Sequence, residues 1–310
     1  MMKLRITHET SYDYTPAVET GQHMTCLIPI DTTRQKVLSH QLNVLPEPAQ
    51  RGDLTDVYGN HRTFFSLQSP HETLQVTAVS EVLTEPPPPA SSGIPWEDVR
   101  EHFRYRAEAS YDPAVEFVFA SSHIPLDEAF ISYAEPSFTP DRPLIQAARD
   151  LMSRIHHDFT YASESTEIST PTLEALAQRQ GVCQDFAHIM IACLRSLGLA
   201  ARYVSGYLLT QPPPGQPRLI GADASHAWVS VYLPDLPGAL EGQGWYDLDP
   251  TNNRDGWGTP GEDYVTVATG RDYSDISPIR GVIYGGADHT LDVAVTVTPF
   301  EQDLQTAPPA

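Results

Sequence analysis

Four consecutive prolines, Pro86-Pro87-Pro88-Pro89, followed by Ala90-Ser91-Ser92-Gly93, divide this chain. Proline has no amide hydrogen to give a sheet ladder and favours the extended polyproline conformation, so a strand arriving at Pro86 must end there. Upstream, polarity alternates through Leu4-Arg5-Ile6, Met24 to Ile30, Val37 to Val44, Thr63 to Leu67 and Leu74 to Val82. Period-two alternation broken by turn residues predicts a sandwich-like antiparallel β domain over 1–85. Inside it, Asp56-Val57-Tyr58-Gly59-Asn60-His61 reads as a hairpin connection and nothing more, because Gly59 and Asn60 tolerate positive φ.

The stretch 86–140 is weakly patterned and reads as a connecting region with one short helix near Trp96 to Phe103. From Asp141, a suitable N-cap, the residues Leu144, Ala148, Leu151, Met152 and Ile155 recur at helical spacing. Thr170-Pro171 opens a second helix, and Cys183 to Leu197 forms a third that is apolar on most sides and closes at Gly198. The period then returns to two in Ala201 to Leu209, His226 to Leu233, Trp245 to Leu248, Tyr264 to Ala268, Gly281 to Tyr284 and Leu291 to Val297. Helices followed by antiparallel strands predict an α+β core over 141–300, with 301–310 as a frayed tail. Two domains suit a chain of 310 residues.

Nineteen Lys and Arg against 40 Asp and Glu leave a net charge of −21, which opposes phosphate backbones and anionic membranes. Nucleic acid is therefore excluded as a partner, and no segment is apolar over the length of a membrane span. The N-terminus lacks a signal peptide's apolar stretch, and the three cysteines, Cys26, Cys183 and Cys193, are too few and too odd in number for a disulfide framework. A soluble, cytoplasmic protein is expected.

Chemistry concentrates at three places. Gly181-Val182-Cys183-Gln184-Asp185-Phe186 delivers a cysteine to the first turn of a buried helix, where unpaired N–H groups and the helix dipole favour a thiolate. Asp185 competes for the same positive end, so a paired histidine is needed. Cys26 and Cys193 read as small core residues. Ala224 to Leu233 alternates, placing His226, Trp228, Ser230 and Tyr232 on one face and Ala227, Val229, Val231 and Leu233 toward a core. The strand from Gly244 can pair with it as a hairpin. With Ser230 opposite Trp245, His226 faces Asp249; a shift of two residues brings Asp247 there instead, and the sequence leaves both open. A thiolate to attack a carbonyl, an imidazole to manage the proton and a carboxylate to orient the ring form a nucleophilic set.

At these residues the chain resembles the bacterial transglutaminase-like family, whose core shares the papain-like cysteine protease fold. The resemblance is carried by Gly181 to His188, Ala201 to Tyr207, Ser225-His226-Ala227-Trp228-Val229 and Trp245 through Asp249-Pro250-Thr251-Asn252. Residues before 86 are similar to the β domain that precedes such cores, best at Asp56 to Asn60. The resemblance implies Cys183 as nucleophile, His226 as base and Asp249, in preference to Asp247, as the orienting acid. The backbone N–H of Cys183 is a candidate oxyanion donor, with Tyr161 and Gln178 as side-chain candidates and Trp228 in support. His188 and Asp185 are expected to be structural. No metal or organic cofactor is expected, since Asp247 to Thr251 lacks the glycine and glutamate of a calcium loop.

The expected activity is hydrolysis of a peptide or isopeptide amide through an acyl-enzyme. The alternatives are transamidation to an amine and a non-catalytic protein-binding module. A peptide or protein is the expected partner, while oligomeric state and natural substrate are not legible.

Overall fold

The computed structural model describes residues 1–90, 93–107, 110–162, 170–210, 225–237, 244–286 and 288–300. The tail expected over 301–310 lies outside the described residues.

Alternation before the prolines becomes five strands: β1 (Met2–Ile28), β2 (Gln35–Leu45), β3 (Gln50–Thr55), β4 (His61–Leu67) and β5 (His71–Thr84). They pair antiparallel in the order β2-β5-β1-β4-β3, a curved half-barrel sheet whose own core includes Val18, Leu27, Phe65, Leu74 and Val76. The segment after the prolines holds more structure than its weak pattern suggests. It contains α1 (Trp96–Phe103), a 3-10 turn at Pro113–Val118 and α2 (Glu128–Ala134). Two turns of helix are too short to display a period, yet α2 buries Phe130, Tyr133 and Ala134 in the main core.

The core continues through α3 (Leu144–Asp158), β6 (Thr160–Tyr161), α4 (Thr172–Gln178), β7 (Gln180–Gly181) and α5 (Cys183–Ser196). Helix α3 begins after Pro143 rather than at Asp141, which sits outside it at a φ of 61°. Every residue of α5 from Asp185 to Arg195 is buried, with α2, α3 and α4 on one side and the sheet on the other. At about 1.5–3 kcal/mol for each fully buried large aliphatic side chain, such a helix is held rigidly, and so is the cysteine at its start. Gly198 closes it with a φ of 81°, as the sequence predicts.

Beyond α5 come β8 (Ala201–Leu208), β9 (Ser225–Leu233), β10 (Gly244–Asp249), β11 (Arg254–Trp257), β12 (Tyr264–Gly270), β13 (Ile279–Gly285) and β14 (Asp288–Pro299). The first five form the core sheet in the order β11-β10-β9-β8-β12. The last two leave it: β14 pairs with β1 from Leu4↔Pro299 to Thr15↔Asp288, and β13 pairs with β1 from Val18 to Thr25. An alternating pattern states that a strand exists but not which strand it meets, so the expected core over 141–300 gives up its last two strands to the N-terminal sheet.

The Asp56 to Asn60 connection is more than a turn. Buried Asn60 donates to Thr269 O and accepts from Thr269 N, both at 2.8 Å, while Asp56 accepts from Asn60 and from both Nε and Nη2 of Arg62. Gln35 does the same for Thr266, donating to its carbonyl at 2.7 Å and accepting from its N–H at 2.8 Å. Strand β12 is the edge of the core sheet, so these two amides satisfy backbone groups that an edge strand leaves unpaired.

Candidate active site

The site is assembled where α5 begins and β9 begins. Gly181 is confined: a Cβ there would lie 2.6 Å from Asp185 Oδ2. That carboxylate accepts from the Val182 N–H at 2.9 Å, so Asp185 closes the helix start. Cys183, in the first turn, is part-buried and lines a cleft of about 570 Å³.

His226 stands across the cleft, with Asp249 bonded to its ring: Nε2 meets Asp249 Oδ2 at 2.7 Å. Cys183 lies close enough to the ring to raise its pKa, after Asp249. With Nε2 engaged by the carboxylate, Nδ1 is the nitrogen left for the sulfur. Register is the surprise. Trp245 pairs with Tyr232 and Asp247 with Ser230, two residues away from the hairpin alignment that would set Asp249 directly opposite His226. The same face is kept, and the contact is made diagonally.

Asp249 is fully buried and accepts from five donors. Besides His226 these are Tyr264 OH at 2.7 Å, Asn252 Nδ2 at 2.8 Å, Thr251 N at 2.9 Å and Asn252 N at 3.3 Å. Burial pushes its carboxyl upward, but the charge on His226 and the hydrogen bonds outweigh this and hold it below the usual range. For His226, burial lowers the pKa while Asp249, then Cys183, raise it; the result is about 10. Asp249 thus favours the protonated form of the ring.

Asp247 has a different environment. Its oxygens accept from the Ser230 hydroxyl and from Trp228 Nε1, and burial raises it to about 6 against the pull of those bonds and of Arg202. It therefore locks Trp228, whose ring packs between His226 and Tyr264. Gly206, across from His226 on β8, gives that indole room: a Cβ there would lie 2.0 Å from Val265 O and 2.5 Å from the Trp228 ring.

Tyr161 sits beside the turn that carries Cys183, paired with Gly181; burial and then the charge of Cys183 push its hydroxyl above the ordinary range. Gln178 is not brought to the site, because its amide donates to Glu174 one turn back on the exposed side of α4. His188 accepts from Tyr273 N and stacks on His123 far down the helix, and burial drives it to about 3. Sequence reasoning missed Tyr264, which gives no local signal, and Asn252, which was visible within Asp249-Pro250-Thr251-Asn252. It also missed that the N-terminal sheet forms a wall of the cleft: His8, Thr10 and Tyr12 of β1 face it together with Leu291 and Val293 of β14. Among the described residues no group of three or more His, Cys, Asp or Glu is placed to hold a metal, and no helix is long and apolar enough to cross a membrane.

Residues 4–83 match the family described as the bacterial transglutaminase-like N-terminal region, and residues 131–250 match the transglutaminase-like superfamily core. An uncharacterized protein of Mycobacterium tuberculosis is 45% identical over 307 residues, 97% of this chain and 94% of that one. The chain belongs to the transglutaminase-like superfamily. A second relative, an uncharacterized protein of Mycobacterium leprae, is 31% identical over 96% of this chain and 99% of its own. The fold is shared with a solved structure from Cytophaga hutchinsonii provisionally named a cysteine protease, at a TM-score of 0.70 and 19% identity over 98% of this chain and 92% of that one. A more local similarity, 30% over 105 residues, links a third of the chain (33%) to 15% of a protein-glutamine gamma-glutamyltransferase of Pseudomonas aeruginosa.

Proposed function

We propose that this transglutaminase-like chain hydrolyses amide bonds of peptides or proteins through a Cys183 acyl-enzyme. The observation that carries the reading is His226, held by Asp249 at 2.7 Å and lining the same open cleft as Cys183. A cysteine beside a histidine that a carboxylate orients is the arrangement by which a sulfur attacks a carbonyl carbon. Attack forms a C–S bond and places charge on the carbonyl oxygen, for which the N–H of Cys183 and the hydroxyl of Tyr161 are the candidate donors. His226 gives its proton to the departing amine as the C–N bond breaks. The neutral ring then takes a proton from water, whose hydroxide adds to the thioester. Collapse expels the Cys183 thiolate and leaves a carboxylic acid, the imidazolium having been restored.

Among the described residues lining the cleft there is no Asp, Glu, Lys or Arg. An uncharged acyl donor fits such a wall, and a lysine ammonium finds no carboxylate there to hold it. That favours water over an amine as acceptor. The named activity of the Pseudomonas aeruginosa relative supports transamidation as the second reading.

The test is to incubate the protein and Cys183→Ala with uncharged glutaminyl and other amide peptides, with and without a labelled primary amine. Release of acid and amine by the unsubstituted chain alone is expected. Dominant incorporation of the label establishes transamidation instead. No acyl-enzyme with any peptide, together with a Cys183 no more reactive than the other cysteines, leaves a binding module.

A further inference from the structure

On the face of the core sheet turned away from α5, Arg202, Ser230 and Asp247 stand in one cross-strand row. Arg202 lies with its guanidinium carbon 4.1 Å from the centre of the Trp245 ring. Its Nε is buried and has no hydrogen-bond partner among the described residues. Asp247, bonded to Ser230 and Trp228, supplies Arg202 with charge but accepts no hydrogen bond from it. Arg202 is thus a part-buried cation with no hydrogen-bonded carboxylate among the described residues.

Arg202 borders a cavity of about 730 Å³, roofed by Pro88 and Pro89 of the proline run and by the 30–34 loop. The other charged groups lining it are already engaged. Asp31 accepts from Lys36 and from Val37 N, Arg34 donates to Glu85, and Asp247 is bonded as described. Arg202 is the one with its fork unclaimed. A second cavity of about 560 Å³ on its other side lacks Pro88, Pro89 and Trp257 in its wall.

We propose that the cavity beneath the proline run is a binding site for a carboxylate carried on an apolar body, such as the free C-terminus of a peptide, with the carboxylate forked onto Arg202. The guanidinium's paired N–H groups match a planar carboxylate in a way that a point charge does not. Trp245, Trp257 and the two prolines offer flat apolar surface to the remainder of the ligand. The site is separate from the Cys183 cleft, with which it shares no lining residue, and does not depend on the proposed hydrolysis.

The test uses the full chain carrying Cys183→Ala, so that turnover cannot intervene. Tryptophan fluorescence and the Arg202 Nε–Hε resonance are followed while adding an N-acetylated apolar tripeptide with a free C-terminus, its C-terminal amide, or inorganic phosphate. The free acid should bind at least about tenfold more tightly than the amide and move the Arg202 resonance. Arg202→Lys, keeping charge but not the fork, should lose about tenfold, and Arg202→Gln all saturable binding. Equal binding of acid and amide, undiminished binding of the acid in Arg202→Lys, or no saturable binding overturns the proposal. Tighter binding of phosphate than of the acid overturns the assigned ligand class. Should Arg202→Gln fail to fold, the lysine variant and the resonance still decide.

Discussion

Asp249 reaches His226 along a diagonal of the sheet, its Oδ2 lying 2.7 Å from the ring although the paired register sets Asp247 against Ser230 and Leu248 against Val229. A diagonal contact spans more distance than a direct one, and here Tyr264, Asn252 and the 251–252 backbone fix the carboxylate at its far end. The orientation of the imidazole therefore depends on the 249–252 segment and on Tyr264 of a separate strand.

Removing the charge while keeping the shape tests this dependence. Asp249→Asn should lower acyl transfer by about 10³- to 10⁴-fold, the scale seen when an orienting carboxylate is lost. The His226 proton, held to about 10, should leave much nearer the ordinary 6.5. A pH titration of the His226 ring resonances checks the second point, and an unmoved midpoint refutes it.

Stability should follow the same pair. His226 has a raised pKa in the folded chain, so its contribution is complete below 6.5 and is lost as pH climbs through about 10. Asp249 has a depressed one, so its contribution is present above 3.8 and is lost as pH falls below that value. Urea midpoints should decline on both sides of this window, and Asp249→Asn should flatten both declines, since it removes the depressed carboxyl and the main cause of the raised imidazole pKa.

Cys183 should alkylate with iodoacetamide far faster than Cys26 or Cys193. The other two are buried, and burial raises the Cys26 thiol to about 11 and Cys193 higher still. Peptide mapping after timed quenching measures all three together. In His226→Ala the preference should fall by about tenfold or more; equal, slow labelling of the three in the unsubstituted chain contradicts the nucleophile.

Tyr264→Phe removes one of the five donors to Asp249 without touching the cleft. It should cost about 1–3 kcal/mol, read as a lower melting temperature. A reduced kcat at unchanged KM, with the alkaline limb displaced, marks Tyr264 as a positioning residue; a stability change alone marks it as structural.

Asn60→Ala leaves both the N–H and the C=O of Thr269 unpaired at the edge of the core sheet. At about 1–3 kcal/mol for each buried group, the loss should be among the largest from any single polar truncation in the chain. Thermal melts compare it with Asn43→Ala on the exposed part of β2, which should change little.

How much of this the sequence disclosed varied with distance along the chain. The glycine before Cys183, the apolar helix behind it and the face that carries His226 all follow from neighbours within a turn or a strand, and all were legible. The Asp249 register was not, because a shift of two residues leaves every side chain on its proper face and the alternation cannot register the change. Asn60 is 209 residues from Thr269, and its environment resembled that of any turn. The same blindness to remote partners hid where β13 and β14 belong, since their period is that of the core strands they follow.

That pairing has a bearing on how the chain is made. Strand β1 can find β4 and β5 soon after they leave the ribosome, but its remaining neighbours are β13 and β14, at 279–285 and 288–299. At about 5–20 residues per second, some 200 residues of synthesis separate the end of β5 from β14, a wait on the order of ten to forty seconds. Throughout it the N-terminal sheet presents an open edge that other nascent chains could join. The domain begun first is thus completed last, and a chain stopped anywhere before β13 loses not only its tail but the closure of its beginning.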